Sequence, residues 1–248
     1  MGFSNQLLNG KTIMVTGAGK GIGRACALLA AQCGAYVIAV ARTESDLLQL
    51  QKDSTELSGT IETWSEDVTK ASFHQRLKGL SELHGLINNV GTNRVAKMTE
   101  QADDDVDAVL DLNIKSLYRC AKAALIPMQK SGGSIVNMSS QMGFVGSPGR
   151  TLYCASKHGV EGLSKAMAVE LAADNIRVNT VAPTFVLTPM TEPMFENPQF
   201  KKFVFDMIPM QKLASTEDVA NACVFLLSDL SAMVTGTCIK VDGGWTAR

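Results

Sequence analysis

Three side chains stand at a spacing suited to moving a proton to or from a carbonyl oxygen. Tyr153 and Lys157 belong to the run Tyr153-Cys154-Ala155-Ser156-Lys157, and Ser140 lies thirteen residues upstream of the tyrosine. On a helix, positions four apart share a face, so the phenol and the ammonium would lie side by side. A free tyrosine titrates near pH ~10, too high for efficient acid–base work at neutral pH. A neighbouring ammonium stabilises the phenolate and is expected to lower that value. A serine hydroxyl would hydrogen-bond the same oxygen and orient it. Ser139 is the competing serine, and a serine at a strand end can also do no more than satisfy backbone groups. Tyr-x-x-x-Lys recurs by chance, so its meaning depends on whether the chain builds a hydride carrier's site beside it.

The rest of the sequence supplies a scaffold for that trio. Apolar, β-rich runs at 12–15, 37–40, 60–64, 86–87, 134–138, 177–181 and 237–241 alternate with helical patterns. The helical stretches are 22–32, 44–57, 71–83, 104–129, 152–171 and 217–227. Several strands are uninterrupted apolar runs, as parallel strands covered on both faces require. The rhythm predicts an α/β fold, a doubly wound Rossmann-type sheet of seven mainly parallel strands with helices on both faces. No linker or solenoid-length repeat interrupts 1–248, so one domain is the simplest division. Residues 183–209 break the rhythm, with Pro183, Pro189, Pro193, Pro198 and Pro209 among Phe185, Met190, Met194, Phe195, Phe200, Phe203 and Phe205. Such a segment is either a packed excursion or a flap over a site at the strand ends, and the catalytic trio favours the flap.

The run Thr16-Gly17-Ala18-Gly19-Lys20-Gly21-Ile22-Gly23 follows the first strand and opens the first helix. Glycines there let the backbone approach a pyrophosphate, whose charge the loop amides and the helix N-terminus can hold. The spacing of Gly17, Gly21 and Gly23 is G-x-x-x-G-x-G, not the G-x-G-x-x-G of the standard dinucleotide fingerprint. An acid usually ends the second strand of NAD sites. Here the strand ends Val40-Ala41-Arg42. Arg42 would attract a 2′-phosphate and grip it with paired N–H groups, and Lys20 adds a second cation. The expected cofactor is therefore NADP(H) rather than NAD(H).

Composition narrows the function classes. The chain has 248 residues, 46% hydrophobic and 19% charged, with a formal net charge of −1. That balance offers no electrostatic footprint for nucleic acid or an anionic membrane. No apolar run approaches the ~20 residues that span a bilayer. The N-terminal Met1-Gly2-Phe3-Ser4-Asn5-Gln6 has neither a basic start nor an apolar core. Six scattered cysteines without C-x-x-C read as reduced thiols in a cytoplasmic protein. The three isolated histidines give no metal-ligand spacing, so no metal site is assigned.

Together these residues resemble the short-chain dehydrogenase/reductase family in its compact single-domain form, in order and over nearly the whole chain. Gly17, Gly21 and Gly23 match its cofactor loop, and Asp67-Val68 look like the pair that touches the adenine. Asn88-Asn89-Val90-Gly91 matches Asn-Asn-Ala-Gly with valine for alanine, and Pro183-Thr184 stands for Pro-Gly beside the nicotinamide. Val186 and Thr188 fall where members hold the carboxamide. The resemblance implies that Ser140, Tyr153 and Lys157 are catalytic, and that Asn113 in Leu112-Asn113-Ile114 holds a water linking Lys157 to solvent. It also implies that Ile22, Asn89, Gly91, Tyr153 and Lys157 contact the cofactor.

Ser140, Gln141, Phe144, Arg150 and Tyr153 are expected to line the substrate pocket, although loop packing explains the middle three almost as well. Within the family the residues look most like carbonyl and sugar reductases. The expected activity is NADP(H)-dependent interconversion of a small-molecule ketone and a secondary alcohol. The C-terminal Val241-Asp242-Gly243-Gly244-Trp245 run resembles a tail used in tetramer packing, so a homotetramer (or homodimer) is implied. One alternative is a 3-oxoacyl-carrier-protein reductase, which needs a basic docking patch such as Lys201-Lys202. Another, of a different class, is a non-catalytic dinucleotide sensor or scaffold, which has no need of Tyr153 or Lys157.

Overall fold

The computed structural model describes residues 2–189 and 191–247, so Met1, Arg248 and the Met190 assigned to the 183–209 segment lie outside the described residues. Strand β1 (Thr12–Thr16) runs into the glycine loop and helix α1 (Gly21–Gln32). β2 (Tyr36–Ala41), α2 (Glu44–Asp53), β3 (Thr60–Ser65) and α3 (Ala71–Lys78) follow. β4 (Gly85–Asn88) leads through a loop to α4 (Asp103–Leu110), α5 (Ser116–Met128), β5 (Gly133–Met138), α6 (Thr151–Leu171) and β6 (Ile176–Pro183). Then come α7 (Pro198–Met207), α8 (Thr216–Leu227) and β7 (Cys238–Val241).

The strands form one seven-stranded sheet in the order β3-β2-β1-β4-β5-β6-β7. Every pairing is parallel, where the sequence pattern predicted mainly parallel. The strand order reverses between β1 and β4, and open α/β sheets bind ligands in the crevice beyond the carboxyl ends at such a point. Burial on both faces explains the uninterrupted apolar runs. Ile13, Val15, Val37 and Ala39 pack with Cys26, Ala27 and Ala30 of α1 and Val219 and Val224 of α8. Met14, Ile38, Leu86 and Ile135 pack in a second core with Phe73 and Leu77 of α3 and Ala121 and Ala124 of α5.

Two elements differ from the sequence pattern in ways that matter for the site. The helix read at 104–129 is interrupted, because a π-helical turn, Asp111–Lys115, joins α4 to α5. Such turns cluster at functional sites, and this one carries Asn113. Residues 183–209 hold a helix of their own. Asn197 caps α7 by accepting from the N–H groups of Gln199 (2.9 Å) and Phe200 (3.2 Å), and Pro198 occupies the first turn. Phe185 meets Phe200 edge-on at 5.3 Å and lies 5.8 Å from Trp245. With Met142, Val204 and Ile208 they build a third small core beside the strand ends. The helices read at 44–57 and 71–83 stop earlier, at Asp53 and Lys78. Among the described residues, no helix is long and apolar enough to cross a membrane.

Candidate active site

The glycine loop is held open by its neighbours. Gly17 has φ +68°, and a Cβ there would lie 2.8 Å from Asn89 Nδ2. A Cβ on Gly23 would lie 2.2 Å from the Gly17 carbonyl oxygen, so Gly23 lets α1 close against the loop. Asn89 clamps the turn from β4: Nδ2 donates to the carbonyls of Thr16 (3.2 Å) and Gly17 (3.3 Å). Its backbone N–H donates to Thr16 Oγ1 (3.0 Å).

These features fit a dinucleotide phosphate. The α1 N-cap, Lys20, contributes no side-chain cap and the first turn holds no acid. The amides there keep their capacity for an anion. Lys20 Nζ lies 3.3 Å from Asp46 Oδ2, so this cation is shared with an acid on α2. The backbone N–H of Thr69 holds the Asp67 carboxyl below its ordinary range against the opposing effect of burial. The Thr69 hydroxyl and the charges of Arg42 and Lys70 add to that lowering.

Ser140, Tyr153 and Lys157 converge where β5 ends and α6 begins. Ser140 Oγ donates to Gln141 Oε1 (2.6 Å) and accepts from the Met142 N–H (3.2 Å). Its hydroxyl is close enough to the Tyr153 phenol to oppose a rise in that group's pKa. Ser139 is buried, and among the described residues its hydroxyl has no partner. Lys157 is buried, donates from Nζ to the Met138 carbonyl (2.7 Å), and stands 5.6 Å from the centre of the Tyr153 ring. Burial lowers the Lys157 pKa to about 8, and the charge of Glu161 works against that shift.

Tyr153 does not follow the expectation of a lowered pKa. Burial pushes it up, while the Ser140 hydrogen bond and the charge of Arg150 oppose the rise. The ammonium of Lys157 is committed to a backbone carbonyl, and the cation that acts on the phenol is Arg150. Asn113 is also committed. Its Oδ1 accepts from the Thr92 N–H (2.8 Å), and Nδ2 donates to the Thr92 carbonyl (2.9 Å) and Ser156 Oγ (3.0 Å). The side chain ties the loop after β4 to α6, one residue from Lys157.

A cavity of about 730 Å³ joins the glycine loop to this trio. Gly17, Lys20, Gly21, Ile22 and Arg42 wall one end, and Asp67, Val68, Asn89 and Gly91 follow. Pro183, Val186 and Thr188 form the side made by the segment after β6. Ser140, Gln141, Arg150, Tyr153 and Lys157 wall the inner end. Gly23 and Asn113 stand behind the wall and shape it. Phe144 is not among the walls, contrary to its sequence assignment; Lys240 Nζ sits 4.3 Å from its ring centre instead. Sequence reasoning missed Thr92 and Asn93, which also line the cavity. Their signal was their place directly after Asn88-Asn89-Val90-Gly91. Among the described residues, the hydroxyl of Thr184 and Oδ1 of Asn93 are buried in this wall without partners.

A parallel sheet with a glycine loop at its switch point and a Ser-Tyr-Lys group beside it defines a dinucleotide-dependent oxidoreductase class. The family model described as Enoyl-(Acyl carrier protein) reductase matches residues 17–246. A 3-oxoacyl-(acyl-carrier-protein) reductase FabG of Thermotoga maritima is 40% identical over 96% of this chain and 98% of its own. An L-xylulose reductase of Bos taurus is 37% identical over 97% of this chain and 98% of its own. A solved structure from Beutenbergia cavernae, provisionally named an NAD(P)-dependent gluconate 5-dehydrogenase and holding NADP at low occupancy, matches with TM-score 0.94. That protein is 31% identical, over 99% of this chain and 100% of its own. The chain belongs to the short-chain dehydrogenase/reductase family of oxidoreductases, which bind nicotinamide dinucleotides.

Proposed function

We propose that the protein is an NADP(H)-dependent oxidoreductase that interconverts a small-molecule ketone and a secondary alcohol. The observation that carries this reading is one cavity with the glycine loop at one end and Ser140, Tyr153 and Lys157 at the other. The dinucleotide, when bound, supplies or accepts the hydride. Tyr153 gives its phenolic proton to the carbonyl oxygen in reduction and takes it back in oxidation. Ser140 orients that oxygen and steadies its charge. Lys157 holds a positive charge beside both, and Asn113 fixes the loop that Lys157 approaches. Gly17, Lys20, Gly21, Ile22 and the Asn89-clamped turn hold the phosphates, Asp67 and Val68 the adenine end, and Pro183, Val186 and Thr188 the nicotinamide end.

Arg42, standing where NAD sites place an acid, supports NADP(H) over NAD(H). Residues 1–248 act as one domain in the cytoplasm, with 183–209 as the substrate flap. Half-exposed Tyr118 and Ile126 on α5 and exposed Val169 on α6 support a homotetramer (or homodimer). Light scattering reads that directly, and a monomer at micromolar concentration refutes it.

The deciding experiment is NADPH oxidation with a ketone panel for wild type and Tyr153→Phe. Turnover should fall by about 10²–10⁴ in the variant, with NADPH affinity retained; equal rates sink the mechanism. A second reading is a 3-oxoacyl-carrier-protein reductase, favoured by the Thermotoga maritima relative. Its docking patch would use Lys201 and Lys202, but Lys202 is paired with Asp206 at 2.6 Å. A sensor or scaffold would show no Tyr153-dependent turnover at all.

A further inference from the structure

We propose that Arg150 binds a carboxylate on the substrate, so that the enzyme acts on a hydroxy acid and its keto acid rather than on a neutral ketone. The proposal rests on the reading of Tyr153 as acid/base. Arg150 is only 6% exposed, stands three residues before Tyr153 at the start of α6, and lines the inner end of the cavity. Its guanidinium carbon lies 5.5 Å from the centre of the Phe185 ring, which fixes its direction but offers no counter-charge. Among the described residues, no carboxylate forms an ion pair with it. The contrast is Arg94, which lines the same cavity and is ion-paired with Asp105 at 3.1 Å.

A guanidinium cannot shed its charge by deprotonation at physiological pH. A buried cation without a counter-ion is costly, so the site is built for an anion from outside. The cavity's own acids do not serve. Glu66 is bonded to Arg76 and Asp67 to Thr69, both just after β3 at the other end. One guanidinium matches the single charge and planar fork of a carboxylate. A phosphate dianion calls for a second free cation, and Arg94 is engaged.

The same cavity adds a second requirement. The loop of Asn93 is joined to that of Arg150 by the Ala96 N–H donating to the Gly149 carbonyl (3.1 Å). Among the described residues, no donor reaches the buried Oδ1 of Asn93. A further hydroxyl on the substrate satisfies it, which points to a polyhydroxylated acid. In oxidation, the hydroxyl proton would go to the ionised phenol of Tyr153, and a bound oxidised dinucleotide would take the hydride from the carbinol carbon. The carboxylate is unchanged and serves only to anchor.

The test measures kcat/KM for a panel of four- to seven-carbon polyhydroxy acids, each against its neutral alditol or amide twin. The best acid should exceed its twin by about 100-fold, the scale of one charge-assisted pair. Arg150→Met should collapse that ratio to below about tenfold, and Arg150→Lys should keep part of it. NADPH fluorescence titration shows whether each variant is folded; if Arg150→Met is not, the wild-type ratio and Arg150→Lys decide. The proposal is overturned if no acid is turned over, if neutral twins do equally well, or if Arg150→Met keeps the ratio. Tyr153-dependent turnover of neutral alcohols without acid preference sinks only the carboxylate anchor. Turnover that survives Tyr153→Phe sinks the underlying mechanism.

Discussion

Lys157 Nζ donates a 2.7 Å hydrogen bond to the carbonyl oxygen of Met138, the last residue of β5. That bond fixes the ammonium, which is only 4% exposed, between the strand end and Tyr153. Burial draws its pKa from 10.5 to about 8.

The sign of the resulting pH dependence is definite. Between about pH 8 and 10.5 the unfolded chain holds the Lys157 proton and the folded protein does not. The unfolded state therefore binds more protons there, and stability rises with pH. Relative to Lys157→Met, the wild type should gain up to about 3 kcal/mol across that window. Urea unfolding of both proteins at the two ends of the range measures it, and a constant difference between them refutes the buried ammonium.

Ser140 is hydrogen-bonded to Gln141 and Met142 and opposes the rise in the Tyr153 pKa. Ser140→Ala removes the bond that opposes the rise in the Tyr153 pKa and the donor for the substrate oxygen. kcat should fall by about 10²–10³, the usual cost of losing one such donor, while NADPH binding stays unchanged. Ser139→Ala should leave kcat within about threefold, because that hydroxyl has no partner. The reverse ranking in steady-state kinetics would show that Ser139 is the working serine.

Cofactor choice turns on two cations in unequal positions. Arg42→Asp should move the NADPH-to-NADH ratio of kcat/KM toward NADH by about 100-fold, through loss of a paired donor and gain of repulsion. Lys20 is held at 3.3 Å by Asp46. Asp46→Asn frees it and should move the ratio toward NADPH by about threefold, as expected for an exposed pair. Ratios unchanged in both variants would place cofactor selection elsewhere.

Much of this protein was legible in order along the chain. The seven strands follow from short apolar runs, because burial on both faces of a parallel sheet leaves no alternation to misread. The glycine loop and Tyr153/Lys157 were legible because their geometry is local: a turn needing glycine, and two side chains one helical turn apart. The π-helical turn under Asn113 was not legible, since an extra residue in one turn barely disturbs the hydrophobic pattern of 104–129.

The sequence by itself named the glycine loop, Ser140, Tyr153 and Lys157 and the succession of strands along the chain, but not Thr92 or Asn93, and it placed Phe144 wrongly. Only the tertiary structure decided what each group faces. Lys157 turns to Met138, Lys20 to Asp46, Phe144 to Lys240 and Arg150 to the Phe185 ring; among the described residues, Arg150 has no carboxylate partner and Asn93 Oδ1 no donor. Charge compensation and hydrogen bonding depend on distances across elements far apart in the chain. A local pattern can therefore name a cation or an amide without telling whether anything satisfies it.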